Sequence, residues 1–549
     1  MRAPVNLGEN PVLSPTFFVR LFVATVCVVA AAACAEGKGD GDNGTGGGGW
    51  HGWDGSGGGG AVDAASSSGG GSSSGGPIER EEDLQLGAPE ASKNYVFIPA
   101  KGRDHVVKVS GKTLAVTLIE VGDRPTVLAA VPGADAALVL NSGSDDVSLI
   151  RASETKDEVV SLPMLANCNA VAISPDGGRA VAWYDHTRAK KEDPTGSFQA
   201  VTVLDLGVKA ASFDVSTGFR PRTVTFSADG ERAFVVTDDG VSVLDFGALK
   251  AGDVVVPVPL TNDPLDKGKG REVQITPDGK WAVVRQADMK GVRAVHLASK
   301  TIASLSLDTV PTDIDVLPDS TGAVAVMHSG GEVAKIALPS AATKTLAAQT
   351  TKLGKLVAGL AHITADGKTA FLYTSVKGHE RVGALDIATM KLSVFTVRKS
   401  VLGVHIPAGS RRALVVHKPG DGPNHSDSTE AFVDDAWGYS YVDLDTGFTK
   451  LELTAAQPGG YAVVDSPARV YMLLADPKQV AHKVHRADLT TFVGKDIALG
   501  SWPTFARYLP AAKAVAVAQA HPSGRMTFVD VGSDAAKTIT GYELNARVK

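Results

Sequence analysis

Asp315, His362 and His405, with Arg507 further on, recur at like positions in a repeating chain. Each lies two or three residues before a turn and between two apolar residues. The same column reads Ala172, Thr225 and Gln274 in the preceding units. Imidazole and carboxylate from neighbouring units are the side chains that would share a divalent metal, or divide the work of acid and base. Polar residues in such a column also serve as hydrogen-bond ties between packed sheets.

A second set of chemistry-bearing residues sits in three long insertions. Residues 185–197 carry His186, Arg188, Lys190 and Lys191, and residues 260–271 carry Asp263 and Asp266. Residues 418–438 carry Asp421, His425, Asp427, Glu430, Asp434, Asp435 and Trp437. The third has the carboxylate density for Ca²⁺ but not the Asp-x-Asp-x-Asp-Gly order of a calcium loop. Polar recognition, metal binding and a tolerated insertion all fit it, and loops on a rigid scaffold are where binding concentrates.

Other signals are weaker. His482-Lys483-Val484-His485 spaces its histidines by three, which puts them on opposite faces of a strand, so the segment reads as a surface loop. Cys168, in an apolar setting, reads as a small buried filler rather than a nucleophile. No Gly-x-Ser-x-Gly elbow, Walker loop, His-Glu-x-x-His or Cys-x-x-Cys-His sequence is present.

The elements that must position these residues recur along the chain. Val171-Ala172-Ile173-Ser174-Pro175-Asp176-Gly177, Val224-Thr225-Phe226-Ser227-Ala228-Asp229-Gly230 and Val273-Gln274-Ile275-Thr276-Pro277-Asp278-Gly279 are the clearest copies. Weaker turns begin at Pro132, Pro318, Ala365, Pro407, Pro467 and Pro510. Short Val-rich runs punctuated by Asp-Gly turns predict strands, and three or four strands in each unit predict a β-propeller. Nine turns, plus an opening half-unit built from Tyr95-Val96-Phe97-Ile98 and Val106-Val107-Lys108-Val109, give about ten modules. One continuous propeller of four-stranded blades is the expected body, with seven or eight blades plus extra modules, or two smaller rings, as the alternatives. The opening unit shows no innermost strand, as expected where strands from both chain ends close a ring.

The run from Ile173 to Ala182 resembles the YVTN-type propeller repeat of bacterial surface and periplasmic proteins. That resemblance implies architecture more than activity. Propellers of this kind include lactonases and oxidoreductase subunits, so it also implies a rival function, a hydrolase or lactonase using Asp315, His362, His405 and Arg507 around a channel metal.

The chain of 549 residues carries 54 Lys+Arg against 60 Asp+Glu, a formal net charge of −6, which argues against a nucleic-acid partner. The apolar run Leu21 to Ala33 makes about 20 Å of helix, short of a bilayer core. Ala31-Ala32-Ala33-Cys34 resembles a bacterial lipoprotein signal, which would leave Cys34 as the acylated N-terminus. Gly and Ser fill 26 of the 40 residues from Gly37 to Gly76, a composition that reads as a flexible tether with a reach of roughly 35 Å. The expected organisation is a signal at 1–33, a lipidated Cys34 and tether over 34–90, and a propeller over 91–549. These features predict a monomeric outer-membrane lipoprotein of a bacterial envelope, facing the periplasm or the surface. It would bind a protein or glycan through its loop-rich face, with a divalent metal as the cofactor in question.

Overall fold

A computed structural model describes residues 86–263, 266, 268, 270–420, 431–475 and 482–542. The expected signal, Cys34 and the expected tether through residue 85 lie outside these residues, as do Asp421, His425, Asp427 and Glu430. The regular secondary structure of the described chain is almost entirely strand. Its one helix, Ala431–Asp435, is five residues long, and no described helix is long and apolar enough to cross a membrane.

The strands form ten antiparallel sheets in chain order, each made of consecutive strands. They are the blades of a β-propeller. Counted from the N-terminus they begin at Glu90, Pro125, Ala170, Thr223, Arg271, Asp313, Leu360, Val401, Gln457 and Pro503. All nine turns expected from the sequence join a first strand to a second. Their chemistry is local: Ser174 Oγ donates to Asp176 Oδ1 at 2.5 Å, and the Gly178 N–H donates to the same oxygen at 3.1 Å. Gly177 sits at φ +73°, where a side chain would be strained. Ser227–Asp229, Thr276–Asp278 and Thr364–Asp366 repeat the contact at 2.5, 2.7 and 2.6 Å.

Strand alternation explains the packing. Tyr95 and Phe97 join an apolar cluster with Leu128 and Val139 of blade 2, whereas Val96 and Ile98 join one with Leu509 and Ala516 of blade 10. Both faces of a blade are thus buried, and similar clusters lie between each remaining pair of successive blades. The cluster between blades 10 and 1 closes the ring.

Closure differs from the expectation. Blade 1 has its own innermost strand, Glu90–Ala91, paired to Val96 and Phe97, so no strand from the far end of the chain completes it. The junction is held by side chains and by backbone bonds such as Ala511 N to Lys93 O at 3.0 Å and Ala512 N to Lys93 O at 3.3 Å.

Blade 4 is the other departure, with three strands. Residues 253–258 run where a fourth would lie, but they bridge two blades. The Val241 N–H donates to Val258 O at 3.0 Å, and the Val255 N–H donates to Ser216 O of blade 3 at 2.9 Å. Pro257 and Pro259 have no N–H to extend a ladder. Gly240, at φ +147°, lets this segment pass, since a Cβ there would lie 2.1 Å from Val258 O. Gly240→Ala is expected to cost roughly 2–3 kcal/mol in urea denaturation, through backbone strain and a displaced 253–258 segment.

Candidate functional site

Antiparallel blades sort their connections. Turns joining first to second strands, and third to fourth, leave one face. Loops joining second to third strands, and the links between blades, leave the other. Residues 185–197 join the second and third strands of blade 3, residues 260–271 link blades 4 and 5, and residues 418–436 join the second and third strands of blade 8. All three insertions therefore leave the same face.

Within these insertions the structure divides the predicted residues into exposed groups and structural ones. Arg188, Lys190, Lys191 and Asp263 are exposed, and His186 is half-buried. Arg188 also meets the buried Asp185, Nε to Oδ2, at 3.3 Å. Asp266 is not presented to solvent: its carboxylate accepts from the Gly268 N–H at 2.9 Å and lies against both Arg271 and Arg293. Those contacts hold its carboxyl below the usual carboxylate range, against the opposing effect of burial. Asp434 is buried, Asp435 is exposed, and Trp437 opens the strand Trp437–Asp443. Lys399, only 1% exposed, fastens this insertion by donating from Nζ to Val433 O and, at 3.2 Å, to Asp434 O. Sequence reasoning missed Lys399, since its partners lie 34 and 35 residues on.

The innermost-strand column is real. Ala172, Thr225, Gln274, Asp315, His362, His405 and Arg507 each pair with an apolar residue of the second strand. Glu90, opposite Phe97, is the blade 1 member that the sequence did not reveal. Its strand has two residues and no Asp-Gly turn to mark it.

Much of this column ties blades together. Gln274 Nε2 donates to Ile314 O at 2.5 Å, and its Oε1 accepts from the Val316 N–H at 3.1 Å, so one amide reads the next blade's backbone. Asp313 extends the pattern by accepting from the Ala361 N–H at 2.7 Å. Arg507 Nη2 meets Glu90 Oε1 at 3.1 Å and Arg507 Nε meets Oε2 at 3.3 Å, spanning the closing junction. His405 packs on Tyr461 of blade 9, ring centres 4.2 Å apart. Burial, reinforced by the neighbouring His362, lowers the His405 pKa to about 4. Asp315 and His362 are also engaged in contacts. Among the described residues, no three or more His, Cys, Asp or Glu side chains gather as a metal would require, so Asp315, His362 and His405 do not form a three-ligand set.

His482-Lys483-Val484-His485 is not a surface loop from Lys483 onward. Strand Lys483–Asp488 contains Lys483 and His485, and both reach Asp496 on the outermost strand, at 2.6 Å each. His485 Nε2 lies 2.7 Å from the hydroxyl of buried Tyr439 in blade 8. Gly494 leaves the room, because a Cβ there would stand 2.5 Å from that hydroxyl. Cys168 is buried, as expected, and burial pushes its thiol up to about 12.

No family model and no curated protein matches the chain. Solved structures do resemble it at low identity. A eukaryotic initiation factor is 11% identical, over 74% of this chain and 97% of that one, with a TM-score of 0.47. The dihydro-heme d1 dehydrogenase NirN is 15% identical over 74% and 73%, with a TM-score of 0.40. AztD from Citrobacter koseri, in its apo form, is 13% identical over 76% and 95%, at 0.39. What those names describe belongs to those proteins, and no activity passes from them to this chain.

Proposed function

We propose that this protein is a lipid-anchored module of a bacterial envelope that binds a protein or glycan through the insertion-bearing face of its propeller. One observation carries the reading. The three insertions leave one face with exposed Arg188, Lys190, Lys191 and Asp263, while Gln274, Glu90 and Arg507 of the innermost column are committed to blade-to-blade bonds. The anchor rests on the sequence: an apolar run ending in Ala33, then Cys34, then a Gly/Ser-rich stretch long enough to hold a domain clear of a membrane. The YVTN-type resemblance of Ile173 to Ala182 supports the envelope assignment.

Replacing residues 419–436 by a short Gly-Ser turn, together with Lys399→Met so that no buried ammonium loses its acceptors, is expected to lower capture of envelope components by the immobilised protein at least tenfold, with the melting midpoint within a few degrees of that of Lys399→Met alone. Equal capture by both proteins would remove that insertion from the binding face. Cys34→Ala is expected to abolish incorporation of labelled fatty acid in a bacterial host.

A lactonase or hydrolase in the channel is the rival reading. Its support is His405, held neutral beside His362. Hydrolysis of a lactone panel that His405→Gln abolishes, without loss of fold, would favour it.

A further inference from the structure

Tyr439, His485 and Asp496 form a hydrogen-bonded line across the junction of blades 8 and 9. Tyr439 lies on the strand Trp437–Asp443 and is 0% exposed. Its hydroxyl is 2.7 Å from His485 Nε2, and His485 Nδ1 is 2.6 Å from Asp496 Oδ1. Lys483 Nζ takes the other carboxylate oxygen at 2.6 Å. Against the opposing effect of burial, Lys483 and His485 hold the Asp496 carboxyl below the usual carboxylate range.

The donor and acceptor roles follow from what each group can do. An ionised carboxylate only accepts, so in the neutral imidazole Nδ1 carries the proton and Nε2 presents a lone pair. Tyr439 therefore donates its O–H to Nε2. The Tyr441 hydroxyl, 3.4 Å from that of Tyr439, is then the donor in that second contact. Burial pushes the Tyr439 phenol far above its ordinary value, so it keeps its proton at neutral pH. A protonated phenol gives up an electron readily only when a base takes the proton in the same step. His485 is such a base, and Asp496 strengthens it by stabilising the imidazolium that forms. Tyr461 makes the contrast, because its hydroxyl donates to Pro458 O at 2.7 Å, and an amide oxygen is too weak a base to take the proton.

The line also reaches the rim. The side chains of His485 and Asp496 are 15% and 47% exposed. Gly494, on the outermost strand Val493–Ala498, brings bare backbone against the phenol, since a Cβ there would stand 2.5 Å from the Tyr439 oxygen.

We propose that Tyr439 is a redox-active tyrosine that gives one electron to an outer-sphere oxidant, a transition-metal complex, at the rim of blade 9. In that step the Tyr439 O–H bond breaks, the electron reduces the oxidant by one unit, and the proton moves to His485 Nε2. The products are a phenoxyl radical and an imidazolium that donates to Asp496 from Nδ1 and to the phenoxyl oxygen from Nε2. Returning one electron and the proton restores the phenol. All three residues lie on strands and not on the insertions, so this site and partner capture by residues 419–436 can fail separately.

The test is flash photolysis of the purified full-length protein with ruthenium(II) tris(bipyridine) and a cobalt(III) pentaammine quencher, which generates ruthenium(III) as the oxidant. A long-lived phenoxyl radical is expected, followed by its absorption and by electron paramagnetic resonance. Tyr439→Phe, which removes only the hydroxyl, should abolish that long-lived signal. His485→Gln keeps an acceptor toward the phenol but no base, and should slow radical formation at least tenfold. Should His485→Gln fail to fold, the rim variant Asp496→Asn decides, with formation slowed three- to tenfold. No phenoxyl radical in the unaltered protein, a long-lived signal unchanged by Tyr439→Phe, or an unchanged rate in the deciding variant overturns the proposal.

Discussion

Mild acid is expected to destabilise this propeller steeply between pH 6.5 and 5, above the range in which carboxylates protonate. The cause is two imidazoles that the fold keeps neutral. His417 is fully buried between blades 7 and 8. Its Nδ1 donates to Ser400 O at 3.2 Å, and its Nε2 accepts from Ser440 Oγ at 2.7 Å. Burial lowers its pKa to about 3, and burial with His362 lowers that of His405 to about 4. In the unfolded chain both titrate near 6.5. The folded values are depressed, so their stabilisation is complete above about pH 7 and is lost as pH falls, because the unfolded chain takes up protons that the folded one refuses. Two such groups give a slope of about 2 to 3 kcal/mol per pH unit around pH 5, and several kcal/mol in all by pH 4. A loss of that size is comparable to the whole stability of many domains. The lowered carboxylates, Asp366 and Asp488 among them, act in the same direction but below their unfolded value of about 4. Urea denaturation across pH 7 to 4.5 isolates the histidines. His417→Asn keeps a donor toward Ser400 O and removes one titration, so its slope should fall to about 1.4 kcal/mol per unit. Equal slopes in the two proteins would show that His417 is not held neutral.

The turn positions, and with them about ten modules, were legible in the sequence because they rest on local chemistry, whereas their closure into one ring of ten blades was not. A Ser or Thr, an Asp two residues on and a Gly make a turn whatever surrounds them, so Ser174-Pro175-Asp176-Gly177 announces itself. The column Gln274, Asp315, His362, His405 followed from counting back from those turns. Its use did not follow, because Gln274 is defined by Ile314 and Val316, about 40 residues away. Lys399 looked ordinary for the same reason, its two carbonyl partners lying on a later insertion. His485 was misplaced by asking whether it could share a ligand with His482. Its real partners are Asp496 on the adjacent strand and Tyr439 in the preceding blade. The closing junction misled most, since a two-residue strand carries too little pattern to separate it from the Gly- and Ser-rich chain before it. Sequence periodicity thus located nine of the blades by their turns and the body of the first, whereas the polar contacts between blades depended on long-range partners.

That junction makes Arg507→Met the most damaging single change expected outside the apolar core. Glu90 is 2% exposed, and burial raises its pKa even with Arg507 beside it. Removing the guanidinium leaves a buried carboxylate with no counter-charge, which costs about 3–5 kcal/mol at neutral pH. The loss should be localised. No strand crosses from blade 10 to blade 1, so the junction is free to part without unpairing a sheet. Amide exchange should accelerate in Tyr95–Ala100 and Pro503–Leu509 while Trp281–Gln286 and Gly322–Met327, far around the ring, stay protected. The double variant Glu90→Gln with Arg507→Met should recover much of the stability, because a neutral amide is cheaper to bury than an orphaned charge. The pH dependence carries a second signature. With Arg507 gone the folded Glu90 is raised further above its unfolded value, so the single variant should gain stability as pH falls from 7 toward 5 and lose it as pH rises through the folded pKa. This opposes the trend expected from the buried histidines. Uniform loss of protection around the ring, or a double variant no more stable than Arg507→Met alone, would mean that the ring is closed by the apolar cluster of Val96, Ile98, Leu509 and Ala516 and not by this pair.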